Sequence, residues 1–377
     1  MTKTHRIDII TIVAIGLLAF GLQIPWLGFF QDDWNFVFLS SARGAQGLLE
    51  FLTIDGRPGA VWVYILGFAV LGYKTALWQA FSLLLRVLTT INFWMVLKSL
   101  WPERRYGNLV ASAFFLAYPF FTLQPLSVAY APHFMAYFLY SLSILFMIRA
   151  LERPEKYLHF SIPAILGMFT HLFTVEYFVG LELLRPLVVG FFVSGRENLS
   201  RRETLRKVLI TWLPYLLTLV FFVIWRSSFS MSTGVRNNPL RVLFDSGQIV
   251  SVVRNMFADF VLMFVNSWFK LIEPELFVIG PIRNFYLFGI IIIGAFCFYF
   301  LTKAISHEED ESRHLKGVLL AGALIVAAGM LSTYVAGFIV HLKNPLWNSR
   351  FSLPTLLGLA MMSSGLIEAV ITSKNIR

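Results

Sequence analysis

The chain has 377 residues, of which 57% are hydrophobic and only 14% charged. A soluble globular domain carries about 25% charged residues, so this composition excludes that class and defines an all-α polytopic membrane protein. The net charge of +10 does not make nucleic acid a partner, because the basic residues sit in short loops between apolar runs, where they set topology and meet anionic membrane lipids.

The first apolar run, 7–30, follows Lys3, His5 and Arg6 and lacks a small-residue cleavage motif, so it reads as an uncleaved helix. It closes on Phe29-Phe30-Gln31-Asp32-Asp33-Trp34. Residues 31–57 read as a polar loop with short amphipathic pieces such as 48–54, ending in Asp55-Gly56-Arg57-Pro58. The apolar stretch 59–73 is short for a span and suits a re-entrant or interfacial segment. Further spans are expected at 76–97, 109–123, 132–151, 158–175, 177–193, 208–225, 284–301, 317–340 and 351–371. Residues 249–271 are either a span or a helix along the surface, since Arg254, Asp259 and Lys270 interrupt them.

Treating 59–73 and 249–271 as non-crossing gives about ten spans with both termini cytoplasmic. The basic clusters in 98–105, 149–156 and 196–207 then lie inside, in short loops. Letting both segments cross would put those clusters outside. The whole chain reads as one integral membrane domain of a cell membrane, with 1–225 as one module and 226–377 as a variable outer loop and C-terminal helices. The single cysteine, Cys297, lies in an apolar run and leaves no intrachain disulfide.

In this topology the outward groups are Asp32, Asp33, Arg57, Tyr130, His133, His171, Glu176, Arg241, Lys343 and Arg350. Two adjacent carboxylates at a helix exit repel each other and resist desolvation, so they read as a functional pair or as a solvated helix cap. A carboxylate there can act as general base toward an acceptor hydroxyl or amine. Arginine can neutralise a departing phosphate with its planar fork. Arg57 and Arg350 serve that purpose or snorkel to lipid phosphates, and Lys343 reads as phosphate-binding or lipid-facing. His133 and His171 are helix-end residues or supporting groups. Glu176, between two apolar runs, needs a reason to be there. No histidine pair has metal-ligand spacing, so no metal or other cofactor is assigned. Arg86 and Arg185 fall inside spans and are expected to face the protein interior.

The order of these features resembles the membrane-embedded GT-C glycosyltransferases, the class that includes protein O-mannosyltransferases, lipid A aminoarabinose transferases and oligosaccharyltransferases. The matching elements are Asp32-Asp33-Trp34 after the first span, Arg57-Pro58, the short apolar segment closing at Gly72, and the span carrying Arg86. Ala117-Tyr118-Pro119, Glu176 and Arg350-Phe351 with Pro354 continue the order. The resemblance is good over 1–180 and thin over 200–340. It implies a GT-C-like fold, a polyprenyl-phosphate-linked sugar donor, an active site on the outer face, and a glycan, lipid or protein acceptor. It also implies that Asp32 or Asp33 is the catalytic base and that Arg57 and Arg350 lie near the lipid phosphate. The outer turn Tyr130-Ala131-Pro132-His133 lacks the second acid several members carry, so a divalent metal is not supported and that role falls to His133 or Glu176. A transporter, or a flippase or polymerase of lipid-linked glycans, is the alternative. A transporter favours broken helices near mid-membrane, whereas these polar groups gather at one face.

Overall fold

The structure, a computed structural model, describes residues 3–196, 199–233, 249–269, 288, 314–335, 340 and 345–375. All elements among them are helices: α1 (Lys3–Ala19), α2 (Asp33–Ile54), α3 (Val61–Leu71), α4 (Thr75–Leu100), α5 (Arg105–Leu116), α6 (Ala131–Glu152), α7 (Tyr157–Thr174), α8 (Arg185–Arg196), α9 (Arg201–Thr233), α10 (Ile249–Val261), α11 (Leu315–Val335) and α12 (Leu356–Asn375), with shorter helical turns between them, most of them 3-10 and one, Leu262–Asn266, a π-turn.

Eight helical stretches among the described residues are long and apolar enough to cross a membrane: Thr4–Trp26, Thr75–Leu100, Ala131–Glu152, Glu176–Arg196, Arg201–Phe229, Val250–Phe269, Leu315–Tyr334 and Ser349–Ile371. Several departures from the expected ten spans have physical causes. The segment 109–123 is not a straight span: α5 stops at Leu116, and residues 117–130 run on as turns and irregular backbone. Such backbone is tolerated at depth only inside protein, and here its carbonyls find partners. Gln79 Nε2 donates to the Pro125 carbonyl at 2.7 Å, Ser82 Oγ to Ser127 at 2.9 Å and Tyr64 Oη to Ala129 at 3.3 Å. The segment 249–271 carries a helix long and apolar enough to cross, with Asp259 buried against Tyr334 (2.7 Å) and the Val340 amide (2.9 Å). The expected span 284–301 lies outside the described residues, Phe288 apart. The 158–175 stretch forms α7, whose 18 residues reach roughly 27 Å, but it is not among the eight. Residues 31–57, expected as a loop, are mostly α2, broken at Gly44 where φ is 60°. The α3 helix has 11 residues and reaches roughly 16 Å, about half a bilayer core.

The bundle has two distinct polar ends. At one, Arg105 pairs with Asp8 at 2.8 Å and Arg104 with Glu368, so the start of the first helix and the last turns of the final one meet there. At the other, the chain between α1 and α2 meets the α5–α6 connection, the α2–α3 loop, the end of α7 and residues 349–355. Helices α4, α6 and the Ser349–Ile371 stretch form the middle, whereas α1 and α9 expose long apolar faces such as Leu205, Leu209, Leu213 and Leu217. Those faces belong against lipid.

Candidate functional site

The site is built where α1 gives way to α2. Gln31 holds a positive φ of 41°, a conformation that costs a non-glycine residue about 1 kcal/mol or more. That turn separates the two carboxylates. Asp33 points inward, is fully buried, and accepts from three backbone amides: Ala129 at 2.8 Å and Val128 at 3.0 Å on Oδ1, and Phe30 at 3.2 Å on Oδ2. It therefore clamps the exit of the first helix onto the turn that opens α6. Burial pushes the Asp33 carboxyl up to about 6, against the pull of those amides, and the charge of Asp32 adds to the rise. Asp32 is half-exposed and occupies the N-cap position of α2, yet its side chain makes no capping bond. Asp32 thus holds the cap position without a capping bond, and Asp33 is buried instead of solvated.

Across from the pair lies a cationic wall. Gly59 makes it possible, since a Cβ there would sit 2.0 Å from the Phe173 carbonyl oxygen, so the Arg57-Pro58 loop packs directly on the end of α7. Arg57 donates to Glu176 at 3.3 Å and to Asp55 at 3.0 Å, and its guanidinium lies 5.2 Å from the Tyr177 ring centre. Burial works against the Arg57 charge, but Glu176, Tyr177 and Asp55 outweigh it and hold the group well above its usual range. Glu176 is shared with Arg226 at 3.6 Å, whose guanidinium also donates to the Gly56 carbonyl.

Between this wall and Asp32 stand Tyr130, His133 and Arg350. The His133 ring is 7% exposed, packs 5.0 Å from Tyr130 and 4.9 Å from Tyr177, and has no hydrogen-bond partner on either nitrogen. Arg57, Arg350 and Glu176 are all close enough to act on it. The Arg350 guanidinium lies 4.9 Å from the Phe351 ring, and its buried Nε has no partner. Burial pushes the Tyr130 phenol up to about 12, opposed by the Arg350 cation beside it; Asp32 also reaches Tyr130. Asp32, Asp33, Arg57, Tyr130, His133, Glu176 and Arg350 are thus brought together.

His171 is not in this group. It sits in the interior, where Nε2 meets Glu182 Oε1 at 2.8 Å and Glu182 also binds Arg185. Arg185 is fully buried and completes its fork on Ser143 at 2.9 Å. Helix α7 ends at Thr174, before Glu176, so His171 and Glu176 face different elements despite their closeness in sequence. Arg86 faces inward as expected, donating to Gln124 at 2.7 Å. Arg241 and Lys343 lie outside the described residues. Sequence reading missed Tyr177, Asp55 and Arg226 as site residues. Asp55 stood in the quoted Asp-Gly-Arg-Pro motif and Arg226 at the end of a span, whereas Tyr177 in an apolar run gave no signal.

Among the described residues no group of three His, Cys, Asp or Glu side chains is placed to hold a metal ion. No known family's sequence model matches the chain, and no curated protein is similar enough to count as a relative.

Proposed function

We propose that the Asp33 end is the active site of a GT-C-type inverting glycosyltransferase, which moves a sugar from a polyprenyl-phosphate-linked donor to an acceptor on the outer face of a cell membrane. The observation that carries this reading is the division of the acidic pair. With Asp33 consumed by three amides, Asp32 is the carboxylate left to meet a substrate, and it reaches Tyr130, which neighbours Arg350 and His133.

In the proposed step the acceptor O–H or N–H gives its proton to Asp32 as its heteroatom bonds to the anomeric carbon. The bond from that carbon to the phosphate oxygen breaks, and the polyprenyl phosphate leaves with the electron pair. Arg350 neutralises the charge gained there, and Tyr130 and His133 offer hydrogen bonds to the phosphate or the sugar. Arg57 is already held by Glu176 and Asp55, so it is assigned to shaping the cationic wall with Arg226 and to raising the local positive field. Asp33 is a positioning residue.

The orientation belongs to the same proposal. Lys98, Arg104, Arg105, Arg149, Arg153 and Arg196 gather at or near the other end, which the positive-inside rule assigns to the cytoplasm, with both termini. The experiment is purification in mild detergent with mass identification of co-purified lipid. A polyprenyl phosphate or its sugar conjugate is expected with the wild type and is expected to fall about ten-fold or more with Arg350→Ala. A protein that never carries or turns over such a lipid would overturn the assignment.

A further inference from the structure

At the end of the bundle opposite Asp33, the ends of four helical stretches enclose a cavity of about 310 Å³. Its polar lining is His5 from α1, Lys98 and Ser99 from α4, Arg149 and Glu152 from α6, and Arg196 from α8; Trp94 forms an aromatic wall. The charges do not balance. Glu152 is the single carboxylate and already takes Arg149 at 2.6 Å and Arg196 at 3.4 Å. Lys98 meets no carboxylate among the described residues. Its ammonium rests 5.3 Å from the Trp94 ring centre, and the charges acting on it are the cations Arg105 and Arg149. The His5 ring meets Trp94 edge-on at 6.0 Å.

Snorkelling alone would send these cations outward, apart from one another. Here three of them converge on a half-enclosed space with one acid between them, an arrangement that repels itself unless an anion joins it. The surroundings specify what kind of anion. Ile9 and Met95 line the same cavity, and Ile10, Leu187 and Phe191 on the adjoining helices are strongly exposed. A phosphate group seated on Lys98 and Arg149 would therefore have apolar surface beside it along which acyl chains can lie.

We propose that this cavity binds the phosphate headgroup of an anionic glycerophospholipid from the leaflet at that end, with Lys98 as its principal unshared cation. The site is separate from the one proposed for sugar transfer and does not depend on it. An anion bound there would hold α1, α4, α6 and α8 together at their ends.

The test uses the full chain carrying Arg57→Ala and Arg350→Ala, which removes two cations of the other end. The protein is placed in phosphatidylcholine nanodiscs, and retained phosphatidylglycerol is counted by native mass spectrometry. Lys98→Gln is expected to lower retention about five-fold and Lys98→Arg to preserve it. Inorganic phosphate at equal concentration is expected not to compete. A second readout needs no Lys98 variant: reductive methylation of Lys98 should slow several-fold when phosphatidylglycerol is added and not when phosphate is. Equal retention by Lys98→Gln and the Lys98 parent, or unchanged Lys98 reactivity, would overturn the site. Equal protection by inorganic phosphate would overturn the lipid as its occupant.

Discussion

Two charged regions of this bundle are built on opposite rules. In the interior, Glu182 faces Arg185 and His171, and the carboxylate and guanidinium satisfy each other almost completely. At the Asp33 end the groups are left over: the Asp32 carboxylate, both nitrogens of His133 and Nε of Arg350. Burying a charge in a membrane protein is costly enough that matched charges read as architecture. Unpartnered polar atoms also occur in the interior, at Nδ1 of His171 and Nη2 of Arg86, so what marks the Asp33 end is that they gather near a half-exposed carboxylate with no capping bond. The difference separates residues that hold the helices from those the proposal gives to a substrate, although both sets are charged and both lie in apolar surroundings.

If that separation is real, substitutions in the two regions should fail in different ways. Glu182→Ala should be the most damaging to the fold, since it leaves Arg185 charged, buried and unpaired; removing one partner of such a pair costs about 3–5 kcal/mol. A melting temperature in detergent unchanged from wild type would deny the interior cluster its structural part. Asp33→Asn should come next. Its carboxamide can still accept from Val128 and Ala129, but its NH2 would face a backbone donor or leave one unsatisfied, a loss of about 1–3 kcal/mol. Melting would register it as a clear drop, while Asp32→Asn should leave melting where it is.

Arg350 tests the other side of the comparison. Arg350→Ala should lower donor turnover about ten-fold or more with little loss of stability, and Arg350→Lys should recover part of it, since the charge survives without the planar fork. Full turnover by the Ala variant would reduce Arg350 to a lipid-facing cation.

The smallest expected effect is a pH dependence carried by Asp33. Its carboxyl is raised from 3.8 to about 6 in the folded protein. The folded state therefore holds the proton more tightly than the unfolded one. That contribution is complete below about pH 4 and is lost as pH rises through about 6. Between pH 5 and 8 the stability advantage of wild type over Asp33→Asn should shrink by about 1.4 kcal/mol, one pKa unit's worth. An advantage that instead grows with pH would mean the amide bonds outweigh burial.

Much of this site is legible in the sequence, and the rest is hidden for reasons that can be named. Carboxylates and arginines between apolar runs announce themselves, which is how Asp32, Asp33, Arg57, Glu176 and Arg350 were found. Which carboxylate turns inward depends on the positive φ at Gln31 and on where residues 128 and 129 fall, almost a hundred positions away, and no local pattern carries that. Of the two readings of His171, the helix-end one holds: it sits in the last turn of α7, bonded to Glu182 and not to the group around Glu176. Tyr177 was missed because an aromatic in an apolar run looks the same whether it faces lipid or packs between Arg57 and His133. The break in the 109–123 span was invisible for a related reason: hydropathy does not register that Gln79, Ser82 and Tyr64 satisfy an irregular backbone from the side. Charge chemistry is local in sequence, but its satisfaction is not.

The most direct measurement compares Asp32→Asn with Asp33→Asn in reconstituted membranes, following sugar transfer from a purified polyprenyl-phosphate donor alongside melting. Asp32→Asn is expected to bind donor and melt like wild type while transfer falls about a hundred- to ten-thousand-fold, the range for loss of a general base. Asp33→Asn is expected to lose stability and to retain transfer in the fraction that stays folded. Wild-type transfer by Asp32→Asn, or loss of transfer confined to a fully stable Asp33→Asn, would contradict the division of labour between the two carboxylates.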